Sequence, residues 1–140
     1  MRKTAFLFVL SAAACMAQNG TMKSRDGGCQ VSVPPEWKTT DGFGIAQSLD
    51  KKFSATVSSP KMIDSFSELK QNARTVYKES KVTKDSLTEF EMEGKSIAGK
   101  PDVYRAIPVA GNKFCIVDVT YPDGSLEEAR KIAASLKAVK

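Results

Sequence analysis

The chain has 140 residues, with 21 Lys and Arg, 16 Asp and Glu, three Cys and no His. The lack of histidine excludes Ser-His-Asp and Cys-His nucleophiles, a His general base and His-ligated metal sites, and three cysteines cannot form a four-thiolate zinc site. The length fits one domain, and a composition of 41% hydrophobic and 26% charged residues is ordinary for a globular protein. We therefore expect no cofactor.

The N-terminus has the residue order of an export signal. Arg2 and Lys3 precede an apolar run from Ala5 to Ala14, which is too short to span a bilayer but suits a signal peptide. Cleavage after Ala17 would remove residues 1–17 and release a periplasmic protein. Alternatively, Cys15 follows three alanines in a segment that resembles a bacterial lipobox without its usual leucine, so lipidation of Cys15 would remove residues 1–14. Both alternatives predict an exported protein, either periplasmic or anchored in the envelope.

Export changes the charge balance of the chain. Loss of Arg2 and Lys3 leaves 19 basic against 16 acidic residues, a net charge of +3, which is not typical of a dedicated nucleic-acid binder. The next segment, residues 18–28, is polar and contains glycines, so we predict a flexible tether ahead of a single domain over residues 29–140.

Cys29 and Cys115 are the two cysteines left in the predicted domain. Each alternates with apolar residues along a predicted strand, so both thiols are expected to point into the core. In an oxidising compartment this pair predicts a disulfide that closes a long loop. The alternative is two buried free cysteines that act as small hydrophobic residues.

Alternating and helical periodicities predict six strands and two helices. The strands are expected at 29–34, 43–49, 52–58, 86–93, within 96–109 and at 113–121. Apolar residues at helical spacing predict a helix over 63–80, where Ser65 and Glu68 form a capping box, and a last helix from Ser125, where Glu128 would complete a second one. The predicted order is β-β-β-α-β-β-β-α, an α+β fold in which two one-sided helices pack on an antiparallel sheet.

This order, together with three short segments, resembles the PsbP-like superfamily. The segments are VSVPPEW (Val31–Trp37), the helix from Ser65, and the strand–Pro–helix close from Phe114 to Leu136. The superfamily includes the extrinsic PsbP subunit of photosystem II, a Ran-binding import factor and DcrB-type envelope lipoproteins. The resemblance implies a binding or accessory role, because its members mostly bind other macromolecules. It transfers no functional residue to this chain.

A basic stripe is predicted on the first helix. Lys70, Arg74 and Lys78 follow at four-residue spacing, and Lys81 lies just past the helix end. Like charges at this spacing repel one another, so the stripe is a candidate contact for an anionic membrane surface or an acidic protein. The plainer interpretation is a solvated lysine-rich face.

Other candidate residues have structural interpretations that compete with functional ones. Glu89, Glu91 and Glu93 share one strand face and could help to hold Ca²⁺, but a solvent-facing strand side balanced by lysines or Arg105 is the simpler account. Asp118 interrupts an apolar strand and is expected to pair with a buried partner or to mark a site with a shifted pKa. These candidates predict no catalytic residue and no metal site.

The leading functional hypothesis is therefore an exported envelope protein that binds a protein or a membrane surface without catalysing a reaction. An immunity or inhibitor-type protein is one version of it. A second hypothesis is a carrier of small apolar ligands, with a groove between sheet and helices edged by Trp37 and Tyr77. An enzyme that uses Lys, Glu or Tyr has no supporting motif.

Overall fold

The computed structural model of the protein describes residues 20–40 and 42–139. Ten strands and two helices follow one another along this part of the chain: β1 Gly20–Lys23, β2 Cys29–Val33, β3 Lys38–Thr40, β4 Ile45–Gln47, β5 Ser54–Ser58, α1 Phe66–Val76, β6 Lys81–Asp85, β7 Phe90–Lys95, β8 Pro101–Val109, β9 Lys113–Thr120, α2 Leu126–Ala134 and β10 Lys137–Ala138. Neither helix in these residues is long and apolar enough to cross a membrane.

The strands form two antiparallel sheets. The larger has seven strands in the order β3-β4-β5-β9-β8-β7-β6, and the smaller has three in the order β1-β2-β10. In the large sheet, Ser58 pairs with Ile116, which pairs with Ala106, so these residues lie at one level. Ser54, Thr120 and Asp102 lie at a second level, nearer the opposite end. This register defines the two ends of the molecule.

Each face of the large sheet carries its own hydrophobic core. Side chains alternate along β9, so Val117 and Val119 face one side and Phe114 faces the other. The first core joins the large sheet to α2 and to the small sheet. The second joins it to α1 through Leu69 and Ala73, which are buried against Phe90 and its neighbours. The predicted α+β fold is confirmed, with the two helices on opposite faces of one sheet.

The predicted disulfide is present. Cys29 in β2 and Cys115 in β9 are joined by an S–S bond of 2.05 Å across 86 residues of chain. Both cysteines are buried in the α2-side core. The bridge therefore fixes the small sheet to the central strand pair of the large one.

The Ser65 half of the predicted capping box of the first helix forms, and its Glu68 half is displaced by one residue. The Ser65 hydroxyl accepts a hydrogen bond from the Glu68 amide, and the Glu68 carboxylate accepts one from the Asp64 amide. The helix is shorter than predicted, ending at Val76 rather than Ser80. Tyr77 caps that end through its amide, which donates to the Ala73 carbonyl.

Two features near the N-terminal end of the domain differ from the predictions. Residues 20–28 are not a flexible tether, because β1 pairs with β2 from Gly20 to Lys23, and Ser24 is buried in the turn that follows. The segment after Trp37, where no strand was predicted, contains β3. These strands are short and have at most one buried residue each, so they have no hydrophobic alternation for the sequence to reveal.

The predicted strand over 86–93 is wrong in its position. Residues 86–89 form the turn between β6 and β7, in which the Ser86 amide donates to the Glu89 carbonyl and the Ser86 hydroxyl accepts from the Thr88 amide. From Phe90 onward the residues do form a strand, β7, and their side chains alternate between the two faces of the sheet. The missed strand β6 is an exposed sheet edge with a single apolar residue, Val82.

The C-terminal helix also differs from its prediction. Ser125 makes no side-chain capping bond, and α2 ends at Ala134. The Ser135 hydroxyl bonds the Ile132 carbonyl and accepts from the Ser32 amide, which terminates the helix against β2. The chain then continues as β10 and pairs with β2, so Val139 does not extend the apolar stripe of the helix.

Candidate functional site

Five connections of the fold meet at one end of the large sheet. The end is fixed by the register that places Ser58, Ile116 and Ala106 at one level. We call this end the rim, and it consists of residues 24–28, 42–44, 59–65, 86–89 and 110–112. The opposite end, here called the base, consists of residues 34–37, 48–53, 77–80, 96–100 and 121–125.

The rim turn between β1 and β2 is built around Asp26. Its carboxylate accepts hydrogen bonds from the Ser24 hydroxyl at 2.7 Å and from the Gly28 amide at 2.9 Å. These two bonds, the amide bond first, lower the pKa of Asp26 below its ordinary value, and the nearby charge of Lys61 adds to the effect. Asp26 is therefore ionised at neutral pH, and its carboxylate is engaged in shaping its own turn.

The turn between β3 and β4 depends on Gly44. A Cβ atom at this position would lie 2.4 Å from the Val57 carbonyl oxygen, and the backbone has a positive φ of 68°. Because Gly44 has no side chain, the backbone of this turn lies directly against the backbone at the end of β5. Phe43 projects from the turn, and 62% of its surface is exposed.

Two other rim connections also carry exposed apolar side chains. Met62 lies between β5 and α1 and is 96% exposed, and Leu87 lies at the tip of the β6–β7 turn and is 89% exposed. Both stand on connections that hydrogen bonds hold in shape, Met62 beside the Ser65 cap and Leu87 above the Ser86 turn. Single exposed apolar residues are common, but three at one end of a small domain are candidates for a contact.

Two adjoining cavities open on the rim, and Phe43 lines one of them. Their volumes are about 530 and 540 Å³, and both are lined by Asp26, Ser59 and Lys61. The first also contains Arg25 and Phe43. The second reaches the β8–β9 turn and is lined there by the polar and basic residues Asn112 and Lys113. We call the two together the rim groove.

The prediction of a basic stripe on the first helix is wrong, because its four side chains do not form one exposed row. Lys70 and Arg74 point towards β6, where their side-chain nitrogens lie 2.6 and 2.7 Å from the Asp85 carboxylate. Lys70 also covers the Phe66 ring at 4.7 Å and is largely buried. Arg74, Lys78 and Lys81 of the predicted set are at exposed positions, but Arg74 is paired with Asp85, and Lys78 and Lys81 lie at the base end of α1 and β6.

Glu89, at the end of the β6–β7 turn, and Glu91 and Glu93 of β7 form ion pairs on the α2 face of the sheet. Arg105 pairs with Glu89 at 3.0 Å and with Glu91 at 3.5 Å, as the charge-balance interpretation predicted. Glu93 receives two hydrogen bonds from Arg130 of α2, each of 2.8 Å. The expectation of a solvent-facing side is wrong for Glu91, which is buried. Among the described residues no cluster of three acidic or sulfur ligands could hold a metal ion.

The predicted ligand groove edged by Trp37 and Tyr77 is not formed. Trp37 belongs to the α2-side core, where its ring lies 5.3 Å from that of Phe53. Tyr77 packs on the α1 side against Tyr104, on the other face of the sheet. The two aromatic residues therefore cannot line one cavity.

Asp118 has the buried partners that its position predicted. Its carboxylate accepts a hydrogen bond of 2.6 Å from the Tyr77 hydroxyl. Burial raises the pKa of Tyr77, and this bond raises it further because Asp118 stabilises the protonated phenol. Burial also raises the pKa of Tyr104, which pairs with Asp118 across β8 and β9.

Asp102 completes this acidic cluster and was missed in the sequence. It is only 1% exposed, and burial, followed by its hydrogen bond with Asp118, raises its pKa far above the ordinary value. Asp102 is therefore protonated at neutral pH and donates to Asp118. Position 102 follows Gly99 and Pro101 in a segment that looked like a break between strands, so no sequence signal marked it as buried.

The predicted lipidation site Cys15 and the predicted signal peptide lie outside the described residues. Their assignment stays a prediction from the sequence. The described chain begins at Gly20, which pairs with Val33 at the end of β2 nearer the base.

Comparisons with known proteins show the fold. No known family model and no curated protein matches the sequence. A crystal structure from Bacteroides thetaiotaomicron VPI-5482 is similar with a TM-score of 0.57 and 18% identity, over 88% of this chain and 49% of the other, so this chain spans about half that protein's length. The solution structure of cyanobacterial PsbP (CyanoP) from Synechocystis sp. PCC 6803 is similar with a TM-score of 0.55 and 10% identity, over 88% and 94% of the two chains. The resemblance to the PsbP-like fold is thereby confirmed.

Proposed function

We propose that this protein is exported to the bacterial envelope and acts there by binding a partner through the rim, in a non-catalytic accessory role. The observation that carries the proposal is the placement of Phe43, Met62 and Leu87. These exposed apolar side chains stand on three different connections at the same end of the sheet. Leu49 and Ile97 are similarly exposed at the base, but Phe43 also lines the rim groove together with Lys61, so the rim is the end that favours a contact function.

The scaffold beneath the rim supports this proposal. The Cys29–Cys115 bridge lies directly behind the groove, whose second cavity is lined by both cysteines. A covalent link between the two sheets at this end limits the relative motion of the connections. A rigid contact surface loses less conformational entropy when it binds than a mobile one does.

The PsbP-like fold is compatible with an accessory role. One of the similar structures is named as a PsbP protein, and fold similarity at this level of identity carries no catalytic residue to this chain. In the polar cluster Asp102 is buried, and the half-buried Asp118 and Tyr77 hydrogen-bond one another, so these groups bond within the fold. Export is supported by the residue order of positions 1–17.

Photo-crosslinking in intact cells tests this proposal. A photoreactive amino acid at Met62 is expected to give adducts of discrete mass, which Phe43→Ser in the same chain should weaken. The matched control places the same amino acid at Ile97, which is 79% exposed at the base and is expected to give no discrete adduct. Equal adduct patterns from both positions, or neither a protein nor a lipid adduct from Met62, would refute binding through the rim.

The same cells test export. The mass of the mature N-terminus in the envelope fraction distinguishes cleavage after Ala17 from acylation at Cys15. A chain recovered only from the cytosol with its leader intact would contradict the envelope assignment.

A further inference from the structure

We propose that the rim docks on an anionic phospholipid surface, with the rim groove receiving headgroup phosphates. The inference rests on the proposed function and names the partner class. Phe43 and Met62 then enter the boundary between headgroups and acyl chains.

The groove has the chemistry of a phosphate site. Arg25, Lys61 and Lys113 line its two cavities, and all three are exposed. Arginine and lysine donate charge-assisted hydrogen bonds to phosphate oxygens. Among the described residues that line the two cavities, Asp26 is the only carboxylate, and its oxygens already accept from Ser24 and Gly28. The groove is therefore electropositive where a headgroup would enter.

The apolar side chains beside the groove are separate from one another. Met62, 96% exposed, touches almost nothing of its own chain, and it directly follows Lys61 in the sequence. Phe43 shares the first cavity with Lys61 and Arg25. A cation next to a projecting apolar side chain matches the bilayer interface, where the charge stays with the headgroups and the apolar group is buried among the lipids.

This arrangement favours a lipid surface over a protein partner. A stable protein interface buries roughly 800 Å² on each side around a contiguous apolar centre. Phe43, Met62 and Leu87 instead stand on three separate connections. Fluid lipid can fill the space between separate side chains, whereas a protein needs a complementary shape.

Vesicle binding of the purified exported protein tests the inference. Cys15→Ala is included in every sample, so that an acyl chain cannot cause binding. The chain should sediment with vesicles of phosphatidylcholine containing 30% phosphatidylglycerol, but not with pure phosphatidylcholine. Raising the salt from 50 to 500 mM should weaken binding at least tenfold, because the contact is electrostatic.

Rim variants and matched base variants locate the contact. Lys61→Gln should weaken binding about fivefold, the usual effect of one cation near an anionic membrane, and Met62→Ser by a similar factor. Lys78→Gln and Ile97→Ser remove an equally exposed cation and an exposed apolar side chain at the base, and should leave binding unchanged. Circular dichroism establishes that all four variants are folded.

The inference is overturned if the protein fails to bind anionic vesicles, binds neutral ones equally well, or loses the same affinity in rim and base variants. A protein adduct from Met62 in cells, together with absent vesicle binding, would reject the lipid partner and leave the accessory function standing. Lack of both vesicle binding and Met62 adducts would reject both.

Discussion

The two faces of the seven-stranded sheet accommodate buried polar groups in opposite ways. On the α2 face, Arg105 is paired with Glu91, so a buried cation meets a buried anion. On the α1 face, Asp102 and Asp118 meet one another and Tyr77, and the described residues supply no cation to this cluster. On the α2 face the charge of a cation offsets that of an anion. On the α1 face the Asp102 carboxyl stays uncharged because it keeps its proton.

This difference determines how each face responds to change. An ion pair needs both members, so removing one leaves the other buried without a partner. A protonated carboxyl needs only its proton, and a neutral amide can replace it. We therefore expect charge-removing substitutions to destabilise the α2 face and to stabilise the α1 face, with the disulfide adding a larger contribution on the α2 side.

The largest expected effect comes from the disulfide. Replacing Cys29 and Cys115 together by alanine should lower the free energy of unfolding by about 4–5 kcal/mol, because a loop of this length restricts the unfolded chain strongly. Urea denaturation of the oxidised wild-type protein and of the double variant measures the difference. A loss below roughly 1 kcal/mol would show that the bridge adds little to a core that already holds the two sheets together.

A smaller loss is expected from breaking the α2-face ion pair. Arg105→Met should cost about 3 kcal/mol, because the Glu91 carboxylate then stays buried without its cation. The double variant Arg105→Met, Glu91→Leu is the matched control and should recover most of that loss. If the double variant is as unstable as the single one, the arginine stem rather than its charge stabilises this face.

On the α1 face, a charge-removing substitution should raise the free energy of unfolding instead of lowering it. The pKa of Asp102 is raised from 3.8 to about 10, so the unfolded chain releases a proton in this range that the folded chain keeps. The contribution of Asp102 to the stability of the wild-type protein should therefore be fully present below about pH 4 and be lost as the pH rises towards 10. Asp102→Asn keeps a donor for Asp118 and does not titrate, so its advantage should grow with pH and exceed about 1.4 kcal/mol at pH 9.

Thermal unfolding of Asp102→Asn and the wild-type protein at pH 4, 7 and 9 measures this trend. Asp123→Asn, at an exposed position in the β9–α2 turn, is the control and should show the wild-type pH profile. Parallel profiles for Asp102→Asn and the wild-type protein would mean that Asp102 is ionised in the folded state, and the contrast between the two faces would be lost.

Much of the fold could be predicted from local patterns. The alternation in β2 and β9 and the spacing of Leu69 and Ala73 in α1 reflect burial of one side of each element, which repeats along the chain. The same alternation placed Cys29 and Cys115 on core-facing sides. Strands β1, β3, β6 and β10 escaped prediction because they are short or at sheet edges, where backbone pairing rather than burial defines the strand.

The candidate site was less predictable than the fold. The spacing of Lys70 and Arg74 predicted that they lie on one side of a helix. It did not predict that both side chains pair with Asp85 of β6. The rim joins Arg25, Phe43 and Lys61 from three connections that are distant in sequence. No sequence periodicity links such positions. The surface can be recognised only when the order of the strands and their pairing register are known.

The sequence by itself determined the α+β class, the oxidisable cysteine pair and the exclusion of histidine chemistry, because composition and periodicity reflect burial directly. Only the tertiary structure decided which charges are paired, that Asp102 and Asp118 meet, and that the exposed apolar residues Phe43, Met62 and Leu87 share one end. The physical reason is that these properties depend on distances between side chains from separate elements. Such distances are set by strand order and register, which depend on turn geometry and on the packing of the whole sheet rather than on any one segment of the sequence.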